Sequence, residues 1–422
     1  MNKRLLTLLM LFLLGISQIS FAATREKLID RIRIVLNKIP SGTYKSIIVY
    51  NPLNQDTLLV ENHTKPMIPA SVTKLFTTAT ALTIMGSDHF FATQLITDDL
   101  NLNDGIINGD LYIKGYGNSL FTESDLNAMV NELTNKGIKQ ITGNIVGDDS
   151  YFDNIYVRDD WIPNEKANVK LPAISALVLD RNQSIVQRKV GKRIRNYTQN
   201  INNPPLFTAS MLRNKLIELN ISVTGIAKSG TTPLEYKLIS EAKTSIRDII
   251  SLINKNSDNF LAEILFKSLG AFSSGKQGNS LYSQQSILGF IEANGIYKPG
   301  TSIVDGSGIS RFDQVTLGAI TGLLEKMYFD LVNYEDFYNS LSIAGVDGTL
   351  RNRMRGTAAE NNFRGKTGTL NGVTSISGYL TTQNGDELIV GIMFEFTRGG
   401  WNFYRSIQDE IITLLAEWNE EH

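Results

Sequence analysis

Pro69-Ala70-Ser71-Val72-Thr73-Lys74-Leu75-Phe76-Thr77-Thr78-Ala79-Thr80-Ala81-Leu82 is the stretch that decides the fold. A proline in the first turn and then an apolar run read as a buried helix. Ser71 and Lys74 stand three residues apart, which puts them on one face of that helix. At a helix start the backbone N–H of Ser71 has no intrahelical acceptor and is free to meet a developing oxyanion. A hydroxyl, a neighbouring amine and an unpaired N–H are most of what acyl transfer to a serine needs.

Ser-x-x-Lys on its own is a weak signal, and it recurs at Ser240-Glu241-Ala242-Lys243 and Ser273-Ser274-Gly275-Lys276. The first of these precedes a polar strand-like stretch and the second reads as an exposed turn. Neither has the buried helix behind it. Two further motifs follow Ser71 in order. Ser257-Asp258-Asn259 lies in a polar cluster that tips into an apolar helix, and Lys366-Thr367-Gly368-Thr369 precedes a strand-like segment, 373–380. Each has a plain structural reading: Ser, Asp and Asn cap helices, and a glycine-rich tetrapeptide before a strand makes a hairpin turn. In the functional reading, Gly368 clears the side of the strand along which a ligand backbone would run. The joint occurrence of the three motifs, in one order, favours function over capping.

Nucleophile, proton carriers and clamp in this order resemble the penicillin-recognising serine enzymes, namely D-alanyl-D-alanine peptidases, penicillin-binding proteins and serine β-lactamases. The long interval between Ser71 and Ser257 must hold a whole inserted domain. That layout resembles the class C low-molecular-mass penicillin-binding proteins of type four, the D-alanyl-D-alanine carboxypeptidase/endopeptidases. Residues 109–115, 147–152, 305–311 and 344–350 are similar to stretches of these enzymes, and the likeness runs from about residue 27 to the C-terminus. As sequence they are tight turns set by Gly and Asp, with no chemistry assigned to them.

The resemblance implies an α/β fold: a transpeptidase/β-lactamase-like domain, with a five-stranded antiparallel sheet flanked by helices, carrying a large inserted domain. The expected division is a signal peptide at 1–22, the catalytic domain at 23–95 and 236–422, and the insert at 96–235, in one unit or two. It also implies roles. Ser71 is the nucleophile, Lys74 its base, and Ser257 the relay of the proton to the leaving nitrogen. Asn259 orients the substrate amide. Lys366 and Thr367 hold the terminal carboxylate, and the N–H groups of Ser71 and Thr369 form the oxyanion hole. Crowding by Lys366 and partial burial are expected to lower the proton affinity of Lys74. The implied substrates are peptidoglycan stem peptides and cross-links, with β-lactams as acylating inhibitors and no cofactor. A β-lactamase or a silent peptidoglycan-binding scaffold is the alternative. Trp161-Ile162-Pro163-Asn164-Glu165 is similar to a segment of relatives that reads the cationic end of the stem's diamino acid; a solvent-exposed loop is the favoured reading.

Lys3 and Arg4, the apolar stretch 5–19 and the small residues at 20–22 read as a cleavable export signal, so a periplasmic protein is expected. No other segment is long and apolar enough to span a bilayer. The chain has no cysteine, so neither a lipid-modified cysteine nor a disulfide is available, and stability must come from burial in a 422-residue chain that is 42% hydrophobic. A formal charge of −1 provides no basic field for nucleic acid. His63, His89 and His422 are the only histidines, and no metal-binding spacing links them. Lys74→Ala is expected to slow acylation by penicillin at least about a hundredfold, with a native circular dichroism spectrum. Near-normal penicillin labelling of that variant would remove Lys74 from the mechanism.

Overall fold

In the computed structural model, residues 25–102, 104–161, 171–190 and 193–419 are described. The expected signal at 1–22 and residues 162–165 lie outside them. The central sheet has six strands in the order Ser342–Ile343, Arg364–Leu370, Val373–Thr381, Glu387–Glu395, Tyr44–Asn51, Asp56–Glu61, and every neighbouring pair is antiparallel. Five strands were expected; the sixth is a two-residue edge strand, too short to leave a pattern in the sequence. The strand nearest the N-terminus pairs with the last one, Val49 opposite Val390, so the segments before and after the insert share one sheet.

Val373–Thr381 is buried along nearly its whole length, as a central strand covered on both faces should be. On one face, the helix at 25–36 brings Leu28, Ile32 and Val35 against Ile407, Ile411 and Leu415 of the C-terminal helix Trp401–Ala416. On the other, the helix Lys74–Met85 packs between Ile246–Asn256 and Asn259–Ser274. Its residues 74–82 are all buried, which explains the all-round apolar pattern. Two of the threonines in that run are accommodated by bonding to backbone: Thr78 Oγ1 donates to Lys74 O at 2.8 Å and Thr77 Oγ1 to Gly306 O at 2.9 Å.

A second, five-stranded sheet lies in the intervening region, in the order Ala227–Ser229, Ile145–Asp148, Leu111–Gly115, Phe90–Thr97, Lys237–Ser245. Helices Glu123–Asn135 and Pro204–Glu218 cover it around Leu126, Leu133, Leu212 and Leu216. Gln183–Val190 and Arg193–Asn200 form a separate two-stranded ribbon. Trp161, read as part of an exposed loop, is instead buried, its Nε1 donating to Asp305 Oδ2 at 3.0 Å.

The second motif sits at the junction of two helices. Ser257 ends Ile246–Asn256 in the left-handed conformation, at φ 56°, and Asp258 caps Asn259–Ser274 by accepting from Leu261 N at 3.0 Å. Capping and function therefore coexist, on different residues of one tripeptide. Asp258 also forms a two-pronged contact with Arg181 of the inserted region, both distances 2.9 Å. Asp258→Ala is expected to cost about 1 kcal/mol of stability through the lost cap, while Asp258→Asn, which also caps, stays near wild type. Thermal unfolding followed by circular dichroism distinguishes them, and an Asn variant as unstable as the Ala variant would move the energy to the ion pair.

Candidate active site

Ser71 lies in a 3-10 turn, Ala70–Thr73, that leads into the helix beginning at Lys74. Ala70 has φ 49°, a left-handed backbone that costs an alanine on the order of 1 kcal/mol or more. The turn is held from above by Gly308, where a Cβ would come within 1.9 Å of Ala70 O. From the side it is held by Gly368, where a Cβ would stand 2.5 Å from Pro69 O and 3.0 Å from Ser71 N. Glycine is thus required at 368 for strand-to-turn packing. Ser375 completes the clamp by donating to Pro69 O at 2.6 Å.

Lys74 is fully buried. Its Nζ donates to Ser71 Oγ at 2.9 Å, to Asn259 Oδ1 at 2.7 Å and to Ser307 O at 2.5 Å. All three acceptors are neutral, so among the described residues no carboxylate compensates the ammonium by direct contact. Burial lowers its affinity for a proton to about 8, from 10.5, and would lower it further without the more distant Asp305, Glu263, Asp258 and Asp313, which pull the other way. Burial, and not crowding by Lys366, is the leading cause.

Lys366 is also fully buried, and its Nζ donates to Ser257 Oγ at 2.9 Å and Thr367 O at 2.8 Å. Burial first, and repulsion from Lys74 second, hold its proton affinity well below the usual range. The motif Lys366-Thr367-Gly368 lies within the strand Arg364–Leu370, and the hairpin turn falls after it, at Asn371-Gly372. Thr367 Oγ1 lies 2.9 Å from Thr349 Oγ1, and Thr369 Oγ1 accepts from Arg405 Nη2 at 2.8 Å.

A cleft of about 710 Å³ opens over these groups, lined by Ser71, Ser257, Asn259, Thr367 and Thr369 among others. Seven of the eight expected residues thus meet around one serine, directly or through one hydrogen bond, and the eighth, Gly368, shapes its turn. Sequence reasoning missed two participants. Ser307 supplies its carbonyl from the 305–311 loop, which Asp305 shapes by accepting from Ser307 N at 3.1 Å, Gly308 N at 2.6 Å and Ser310 N at 2.8 Å. Arg405 enters from the C-terminal helix, where no motif marks it. Beneath the site, Glu263 accepts from Gly306 N at 3.0 Å, and its proton affinity is raised by burial and by Asp305.

Serine, two buried lysines, a second serine and an asparagine around one cleft are the equipment of an enzyme that transfers acyl groups through a serine. The chain matches the model of the D-Ala-D-Ala carboxypeptidase 3 (S13) family over residues 29–195 and 192–417, and it belongs to that family. It is 26% identical over 449 aligned positions to a D-alanyl-D-alanine carboxypeptidase of an Actinomadura species, covering 89% of this chain and 82% of the relative. It is 23% identical to the D-alanyl-D-alanine carboxypeptidase DacB of Haemophilus influenzae, over 83% of this chain and 85% of that one. The crystal structure of penicillin binding protein 4 from Haemophilus influenzae has the same fold, with a TM-score of 0.77 and 20% identity, covering 90% of this chain and 97% of that one.

Because the free amine of Lys74 is the basic form, acylation by penicillin is expected to rise about tenfold per unit between pH 6 and 7 and to level off above about pH 8. The second-order acylation constant measured against pH checks this, and a flat profile from pH 6 to 9 would contradict it.

Proposed function

We propose that this chain is a serine D-alanyl-D-alanine carboxypeptidase that also opens D-alanyl cross-links, working through an ester on Ser71. The contact of Lys74 Nζ with Ser71 Oγ at 2.9 Å, on the floor of the cleft, carries the reading. Neutral Lys74 accepts the proton of Ser71 as Oγ attacks the carbonyl carbon of the penultimate D-alanine. The new C–O bond leaves an oxyanion, which the N–H groups of Ser71 and Thr369 meet; the close approach of Gly368 to Ser71 N supports that pairing. Ser257, held by Lys366, passes a proton to the leaving nitrogen as the C–N bond breaks. Water then hydrolyses the ester. Asn259 presents its Oδ1 to Lys74, which leaves its amide N–H₂ to orient the substrate.

A β-lactam offers a similar carboxylate beside a strained amide and is expected to acylate the same serine. The export signal read at 1–22 supports a periplasmic location, and among the described residues no helix is long and apolar enough to cross a membrane. The strands Phe90–Thr97 and Lys237–Ser245, which close the second sheet, support an inserted domain that extends a few residues beyond 96–235 on either side.

Fluorescent penicillin is expected to label the wild type and not Ser71→Ala, and D-alanine release from a stem pentapeptide should vanish with the label. Absence of label on the wild type would leave the scaffold reading, and steady-state cephalosporin turnover faster than about one per second would favour a β-lactamase. Because Lys366 is enclosed and bonded to Ser257, Lys366→Ala is expected to slow acylation by a D-alanyl-D-alanine acid and by its amide to the same degree. A loss confined to the acid would return Lys366 to carboxylate recognition.

A further inference from the structure

The two-stranded ribbon of Gln183–Val190 and Arg193–Asn200 serves none of the roles above. Its root is fixed. Asn182 Nδ2 donates to Ala173 O at 2.9 Å, Gln183 Nε2 donates to Asn200 Oδ1 at 2.9 Å, and Arg181, just before the first strand, holds Asp258. Beyond that root the ribbon stands in solvent, with every residue of 187–190 and 193–199 exposed. A lone pair of strands is marginal in water, and a third strand or a covered apolar face is the usual requirement.

The three outermost described rungs pair Arg188 with Arg195, Lys189 with Ile194 and Val190 with Arg193. Residues directly opposite share a face and alternate along each strand. One face therefore carries Arg188, Val190, Arg193 and Arg195, and the other carries Lys189 and Ile194, with Ile185 nearer the root. Ile185 and Ile194 are 71% and 69% exposed. Like charges directly opposite, as at Arg188 and Arg195, destabilise a strand pair. The Tyr197 ring, 5.7 Å from the Arg188 guanidinium, offsets part of one charge. No Asp or Glu occurs from 182 to 217, and among the described residues none of these four cations has an acid in ion-pair contact.

Two unrelieved costs thus meet at one tip: cations that face each other, and aliphatic side chains left in water. A partner that is negative and apolar within one thin layer relieves both. The surface of an anionic bilayer is such a partner, with charge at the headgroups and hydrocarbon just beneath them. A polyanion such as peptidoglycan, with its stem-peptide carboxylates, would answer the charges alone.

We propose that this ribbon is a membrane-docking tip: Val190 and Ile194 enter the interface of an anionic phospholipid bilayer while Arg188, Lys189, Arg193 and Arg195 meet its headgroups. The docking is independent of the reaction at Ser71. Because Arg181 ties the root of the ribbon to Asp258, the docked protein is held to the lipid from a region that adjoins the second motif.

The test is cosedimentation with vesicles of phosphatidylcholine, alone or with about a third phosphatidylglycerol. The chain is purified after export, so that the apolar leader read at 1–22 does not itself enter lipid. The wild type is expected to bind the anionic vesicles at least about tenfold more tightly than the neutral ones, and to be released by salt. Arg188→Gln combined with Arg195→Gln should weaken that binding about twenty-five-fold, from roughly fivefold per cation at a membrane surface. Ile194→Ser should weaken it about tenfold, the low end for burying an aliphatic side chain. Arg188→Lys combined with Arg195→Lys keeps both charges and should bind like the wild type. Thermal unfolding followed by circular dichroism checks that each variant is folded; should one unfold early, the others carry the comparison, since each alters only exposed side chains. Equal binding to neutral and anionic vesicles, glutamine and serine variants that bind like the wild type, lysine variants that do not bind, or retention by peptidoglycan sacculi in place of vesicles would each overturn the docking tip.

Discussion

Three parts of the chain far apart in sequence converge on a single nitrogen. Lys74 Nζ is bonded to the Ser71 hydroxyl, the Asn259 amide oxygen and the Ser307 carbonyl, and the residue is sealed from water. Removing an ammonium from water costs several kcal/mol unless a counter-charge or loss of the proton relieves it. Here relief comes from both directions in part. The buried acids at a distance favour the ammonium and burial favours the amine, and the balance falls within reach of neutral pH. The helix, the 257–259 junction and the 305–311 loop must each be in place for that balance to exist.

Much of this was legible in the sequence because the chemistry needs particular side chains at short spacings. Ser71 and Lys74 share a turn, Ser257 and Asn259 flank a helix start, and Lys366 to Thr369 form one strand edge. The buried helix after Ser71 was likewise visible as an unbroken apolar run. What stayed hidden acts through backbone or from afar. Ser307 contributes a carbonyl, which every residue possesses, and Arg405 contributes a side chain from an ordinary amphipathic helix. Trp161 was taken for a loop residue; the partner of its buried indole, Asp305, is remote in sequence. The packing reason for Gly368 was hidden for a similar cause, since the atoms it must avoid include those of Pro69 and Ser71, remote in sequence.

The inserted region is tied to the site as well as attached to the fold. Arg181 reaches Asp258 inside the second motif, and Trp161 reaches the acid that shapes the Ser307 loop. Two of the loops that bear on Lys74 are therefore braced by residues from the intervening segment. Deleting that segment would remove the support of the site together with any surface it presents to substrate.

Among the described residues, the strand nearest the N-terminus pairs with the last one, so one pairing of the central sheet spans almost the whole chain. Tyr44–Asn51 has Asp56–Glu61 beside it from the outset, but its other edge stays open until Glu387–Glu395 arrives. During folding, that edge must therefore avoid other partners while nearly the whole polypeptide follows. Contacts so distant along the chain make closure slow, and an open strand edge invites wrong pairing. Every strand of the second sheet comes from residues 90–245, so that sheet can close before Glu387–Glu395 arrives.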